Sequence, residues 1–288
     1  MTTHLRLIDA HAHVFAPEKF PYAENRNYTP GNADCEKLAA HMDRIGADHV
    51  VVVQPSTYGT DNRATLEAVE ILGQDRARAV AVVDPSKHEP DHIQSLWSSG
   101  VRGLRANLKT SGATAIDVAK AQLVQLNAQM KGTDMILQIF LPADVIYSLK
   151  DTIAQLGRPT ILDHFAGLKT EDPNFTETLD RVSEVLALPN VILKTSGLCR
   201  VIDYADSAAA LAPYIPSLFD VAKGRIIWGS DWPHTGKSAQ RATRPLSEIE
   251  PFMHIDDLAY LELLKHWCRT DTEFNNIARH TSLNLFNF

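Results

Sequence analysis

Eight short apolar runs recur along the chain, and each passes through a polar residue near its end before a helix-like stretch begins. They read LRLIDAHAHV, HVVVVQPS, AVAVVDPS, VRGLRANL, DMILQIF, TILDHF, VILKTSG and RIIWGSDWPH. Continuous β-branched runs bounded by turn residues suit strands covered on both faces, as in a parallel sheet. Between them, residues 34–46, 65–75, 115–132 and 143–157 carry helical patterning, the last closed by Gly157 with Pro159 beyond it. Eight strand–helix units in 288 residues predict an α/β fold, the (β/α)8 TIM barrel, which takes roughly 250 residues. An open doubly wound sheet more often shows a glycine-rich turn after its first strand, and DAHAHVFAPEKF has none. No linker-like or low-complexity tract interrupts the pattern, so 1–288 reads as a single domain.

Composition narrows the function. The formal charge of −7 disfavours non-specific binding to nucleic acid or a membrane surface. No stretch approaches the roughly 18 apolar residues of a membrane span. The cysteines Cys35, Cys199 and Cys268 form no CxxC pair, which argues against a disulfide framework or a thiolate zinc site. With no basic segment leading a long apolar run near Met1, a cytoplasmic location is expected.

A barrel carries its chemistry at the C-terminal ends of its strands. There the sequence offers His11, His13, Ser56, Arg105, Gln138, His164, Lys194 with Ser196, and Asp231 with His234. Buried strands seldom end this way, because such groups are costly to bury unless paired. Two residues apart on a strand, His11 and His13 share a face. They are a pair of metal ligands or acid–base groups, or two surface histidines at a strand end. His164 gains weight only if its strand opens on the same mouth, and Asp163 beside it is expected to point the other way. Asp231, set between Trp228 and Trp232, is poorly solvated. It is paired with a cation or metal, or is a general base of raised pKa, or caps a helix. Arg105 and Arg102 should face opposite sides of their strand, with Arg105 toward the pocket.

The set DAHAH, LDH and WGSDWPH, with NYTP, VVVQPSTYGTDNRA, GVRGLRANL, LKTSGLCR and NNIARHTSLNLFNF, resembles the amidohydrolase superfamily over nearly the whole chain. More narrowly, it is similar to the lactone hydrolases that open 2-pyrone-4,6-dicarboxylate. The resemblance implies an enzyme that opens the ring ester of a small anionic lactone, pyrone-dicarboxylate-like or muconolactone-like. It implies Asp231 as the base that activates water, with His11, His13 and His164 holding a divalent metal or polarising the carbonyl. Tyr28, Ser56, Arg105, Arg200, His234 and Gln138 are implied at the substrate. Many members have a histidine where Gln138 stands, which argues against two metals. On this reading no cofactor is required, the alternative being a single zinc or manganese on His11, His13, His164 and Asp231.

One departure bears on the substrate. The pyrone branch has a second arginine shortly after the one matched by Arg105, whereas this chain reads NLKTSG, with Ser111 or a neighbour in its place. Lys109 could supply a point charge there but not a bidentate fork. A sugar-acid lactonase and a metal-dependent decarboxylase of a small aromatic acid are the alternatives. The oligomeric state has no signature in the sequence.

Overall fold

The computed structural model describes residues 6–87, 89–201, 210–236, 241 and 244–288. Eight strands pair in chain order, all parallel: β1 (Leu7–Ala12), β2 (Ala47–Val53), β3 (Ala77–Ala81), β4 (Val101–Asn107), β5 (Ile136–Phe140), β6 (Thr160–Leu162), β7 (Val191–Ser196) and β8 (Ile226–Gly229). Each of the eight apolar runs supplies one strand. Helices alternate with them, among them α1 (Cys35–Ile45), α2 (Arg63–Leu72), α3 (Pro90–Ser98) and α4 (Ile116–Gln129). The fold is a nearly closed (β/α)8 barrel. No helix among the described residues is long and apolar enough to cross a membrane.

The helix expected over 143–157 is two, α5 (Ala143–Ser148) and α6 (Lys150–Gln155). At Leu149 the amide N–H is shared between the carbonyls of Val145 and Ile146, both at 3.1 Å, so the ladder tightens and the axis breaks.

Alternation along the strands builds the interior in layers. A lower layer is apolar: Ala10, Val51, Val53, Val80, Ile136, Ile161, Ile192 and Ile227, plugged from below by Phe286 of the C-terminal helix α7 (Thr281–Phe286). The opposite faces pack outward against the helices in a larger cluster that includes Val50, Val52, Leu137, Leu162 and Leu193. Two residues beyond the apolar layer, the same inward faces carry Arg105, Gln138, Asp163 and Lys194, all buried.

The barrel closes between its first and last strands with few ladder bonds. The Asp231 N–H donates to the His11 carbonyl and the His13 N–H to that of Trp232, both at 2.8 Å. The Asp9 carboxylate accepts from the backbone N–H and the hydroxyl of Ser230 at 2.8 and 2.6 Å. Gly229 permits this approach, since a Cβ there would lie 2.7 Å from both the Cβ and the amide N of His11.

Candidate active site

The polar layer forms the floor of the site. Arg105 and Gln138 both donate to Asp163 Oδ2, at 3.2 and 3.0 Å. Lys194 Nζ donates to Gln138 Oε1 at 2.9 Å and lies 3.2 Å from Asp163 Oδ1 and from His11 Nδ1. Burial alone would raise the Asp163 pKa, but Lys194, His11 and Arg105 outweigh it and hold the carboxyl well below the usual range. Burial also pushes Lys194 down to about 8.

Asp163 therefore points inward, against expectation. It follows Ile161 by two and continues that strand's inward face. The expected inward residue, His164, enters by another route. Strand β6 ends at Leu162, and His164, Phe165 and Ala166 take left-handed backbone with φ of 51°, 53° and 55°. That turn breaks the alternation and lets Asp163 and His164 face the interior together.

Above this floor, three imidazoles surround one carboxylate oxygen. Asp231 Oδ1 lies 3.6 Å from His11 Nε2, 3.6 Å from His13 Nε2 and 4.0 Å from His164 Nε2. It has no hydrogen-bond partner although buried. His11 Nε2 and His13 Nε2 are 3.3 Å apart. The Val53 carbonyl lies 2.6 Å from His13 Nδ1, so Nδ1 carries the proton and Nε2 presents a bare lone pair. His164 Nδ1 meets Ser196 Oγ at 2.9 Å. The other carboxylate oxygen, Asp231 Oδ2, accepts from Arg200 Nε at 2.5 Å. Burial opposes ionisation of Asp231, yet Arg200 and then His164 hold its pKa well below the carboxylate range. Burial pulls His164 down to about 4, so it is a neutral imidazole at neutral pH.

Gly197 shapes the turn that delivers Arg200. Its φ is +55°, and a Cβ there would sit 2.7 Å from His164 Nδ1 and 3.1 Å from Asp231 Oδ2.

Of the residues singled out in the sequence, His13, Tyr28, Ser56, Arg105, His164, Arg200 and Asp231 line one small cavity of about 30 Å³, with Asn107, Thr110, Phe140, Thr235 and Arg241. His11 lies just beneath. Two expected substrate contacts lie elsewhere. The Gln138 amide is bonded to Asp163 and Lys194 in the floor. The His234 imidazole faces away, 3.1 Å from Asp257 Oδ2. Arg102 points outward over the Trp97 ring, as expected.

Sequence reasoning missed Asp163, Arg241 and Glu250. Parity with Ile161 would have placed Asp163. Arg241 lies ten residues past Asp231 in a stretch without periodicity, so no local pattern marks it.

The donor set fits one divalent cation. Among the described residues, His11, His164 and Asp231 each place one ligand atom within 4.8 Å of the other two, and Asp231 Oδ1 is orphaned. His13 also makes the bond from its second ring nitrogen that fixes a metal-binding tautomer. A second cation next to His11 would meet the Lys194 ammonium.

A family described as "Amidohydrolase" matches residues 8–269. A curated 4-sulfomuconolactone hydrolase of Hydrogenophaga intermedia is 32% identical over 235 residues, covering 79% of this chain and 75% of its own. A 2-pyrone-4,6-dicarboxylate hydrolase of Comamonas testosteroni is 30% identical over 243 residues, covering 79% and 76%. Among solved structures, a probable 2-pyrone-4,6-dicarboxylic acid hydrolase of Acinetobacter baumannii with citric acid bound superposes with a TM-score of 0.79 at 22% identity. That match covers 98% of this chain and all (100%) of the other, and shows the shared fold.

Proposed function

Because the chain belongs to the amidohydrolase family, we propose that it hydrolyses the ring ester of a small lactone bearing acid groups. The carrying observation is Asp231, ringed by three imidazoles and opening on a cavity walled by Arg105, Arg200 and Arg241. The names of the curated relatives support the same substrate class.

Asp231 Oδ1 is the acceptor best set to hold the attacking water and take its proton as the oxygen bonds to the ring carbonyl carbon. The ring C–O bond then breaks, Asp231 returns the proton to the departing ring oxygen, and the new carboxylic acid gives up its own proton to solvent. Arg200 links the two halves of the site, since the guanidinium that now holds Asp231 is also placed to meet a substrate anion. His11, His13, His164 and Asp231 would hold one zinc or manganese. When bound, it would polarise the carbonyl and acidify water.

The test is a screen of lactones with and without acid groups, run with Asp231→Asn alongside. The variant should lose about 10²- to 10⁴-fold in kcat/KM while its circular dichroism spectrum shows the fold retained. Undiminished hydrolysis would remove Asp231 from the reaction. A separate zinc titration followed calorimetrically should reach one equivalent per chain at this site, and saturation at two would overturn the single-cation arrangement.

A further inference from the structure

Arg241 stands apart from every motif in the sequence, yet it forms one wall of the cavity. Its guanidinium lies 3.6 Å above the Tyr28 ring, another wall. Glu250 grips it from behind: Nε donates to Oε2 and Nη2 to Oε1, both at 2.8 Å. Nη2 also donates to the Gly236 carbonyl at 2.8 Å, while the Gly236 N–H donates back to Glu250 Oε1 at 2.9 Å. Glu250 is buried, and its strand Ile249–Glu250 pairs with Thr29–Pro30, next to Tyr28. The guanidinium is thereby fixed flat on an aromatic face. Nη1 has no hydrogen-bond partner among the described residues.

Arg200 repeats the arrangement. Its Nε is held by Asp231, its Nη2 by Thr235, and its Nη1 has no hydrogen-bond partner among the described residues. Two guanidiniums, each anchored by a buried carboxylate, thus stand beside a single cavity with one donor edge that no described residue engages. One acid group on the substrate engages one such edge. A second edge held rigid is a device for a second acid group.

We propose that Arg241 selects substrates carrying a second acid group, a carboxylate or sulfonate that Nη1 receives, with Glu250 as its positioning residue. This rests on the lactone reading for the substrate's ring but is testable without turnover. Binding of isophthalate, 3-sulfobenzoate and benzoate is measured calorimetrically on wild type, Arg241→Met, Arg241→Lys and Glu250→Gln. Wild type should prefer the two diacids over benzoate by about 10- to 100-fold, the range of a charged hydrogen bond. Arg241→Met should erase that preference and leave benzoate binding unchanged. Arg241→Lys should restore part of it, which separates loss of the cation from loss of the fold. Glu250→Gln should raise KM for a diacid lactone while kcat stays within about twofold.

Two results overturn the proposal. One is a wild type without preference for either diacid, and the other is an Arg241→Met variant that weakens all three ligands equally. If the Arg241-dependent preference appears but no lactone is opened, the lactone reading falls and the anion site stands. If lactones are opened and Arg241→Met keeps the wild-type preference for diacid over monoacid forms, the reverse holds.

Discussion

Three candidate site residues adopt left-handed backbone, His164, Asp231 and His234. Each costs about 1 kcal/mol or more for a residue with a Cβ, and each is held by fixed partners, such as the His11 carbonyl that receives the Asp231 N–H. Such strain is invisible in a sequence, so His164 could be named while its direction could not. A different single-residue effect concerns Lys109, at the rim over the Phe140 ring. Burial, with Lys169 and Arg200 nearby, lowers its pKa to about 8 from 10.5. Between those two values the unfolded chain binds more protons than the folded one, so this lysine makes stability rise with pH through that window. Lys109→Met should flatten the rise, read as the difference between wild-type and variant unfolding free energies at pH 7.5 and 10.5. A difference that does not change with pH would show that Lys109 is solvated.

At the scale of elements, the weak place is the seam between β1 and β8. Its close approach depends on Gly229 lacking a side chain. Gly229→Ala should destabilise the protein by about 1–3 kcal/mol, the usual range for forcing an atom into a packed interior, and should reduce activity because His11 is the residue displaced. Denaturant unfolding measures the first effect and turnover the second. An alanine accommodated without loss in either would mean that the seam can spread. The strands themselves were legible, since all eight runs are continuous apolar segments that end at turns. The seam was not, because its bonds come from loop atoms after the strands and from Asp9. The register between β1 and β2 is also irregular from Asp9 to Ala12. There, simple alternation ceases to hold. Asp9 lies 3.4 Å from His41 on α1, while His11 faces Lys194 inside.

For the whole molecule, the layered interior divides stability from chemistry. The apolar layer and its plug carry the packing, and the polar layer above carries buried charge that an apolar core would not need. Phe286→Ala should cost about 3–5 kcal/mol and lower the thermal midpoint, while KM for any substrate found stays near the wild-type value. A shifted KM would mean that the plug also shapes the upper layer. The fold was readable because its signal repeats eight times. The cavity was half readable: strand ends announce His13, Arg105 and Asp231, but Arg241 and Glu250 meet only through tertiary contacts that no periodicity encodes.

The seam has a temporal side. His11 and Asp231 are joined by a backbone bond yet lie 220 positions apart in the chain. Contacts of such long sequence separation are slow to form. A ribosome-bound chain carries His11 and His13 from the outset but lacks the carboxylate until the eighth strand has emerged. The candidate site therefore comes together late, and its appearance reports that the first and last strands of the barrel have met.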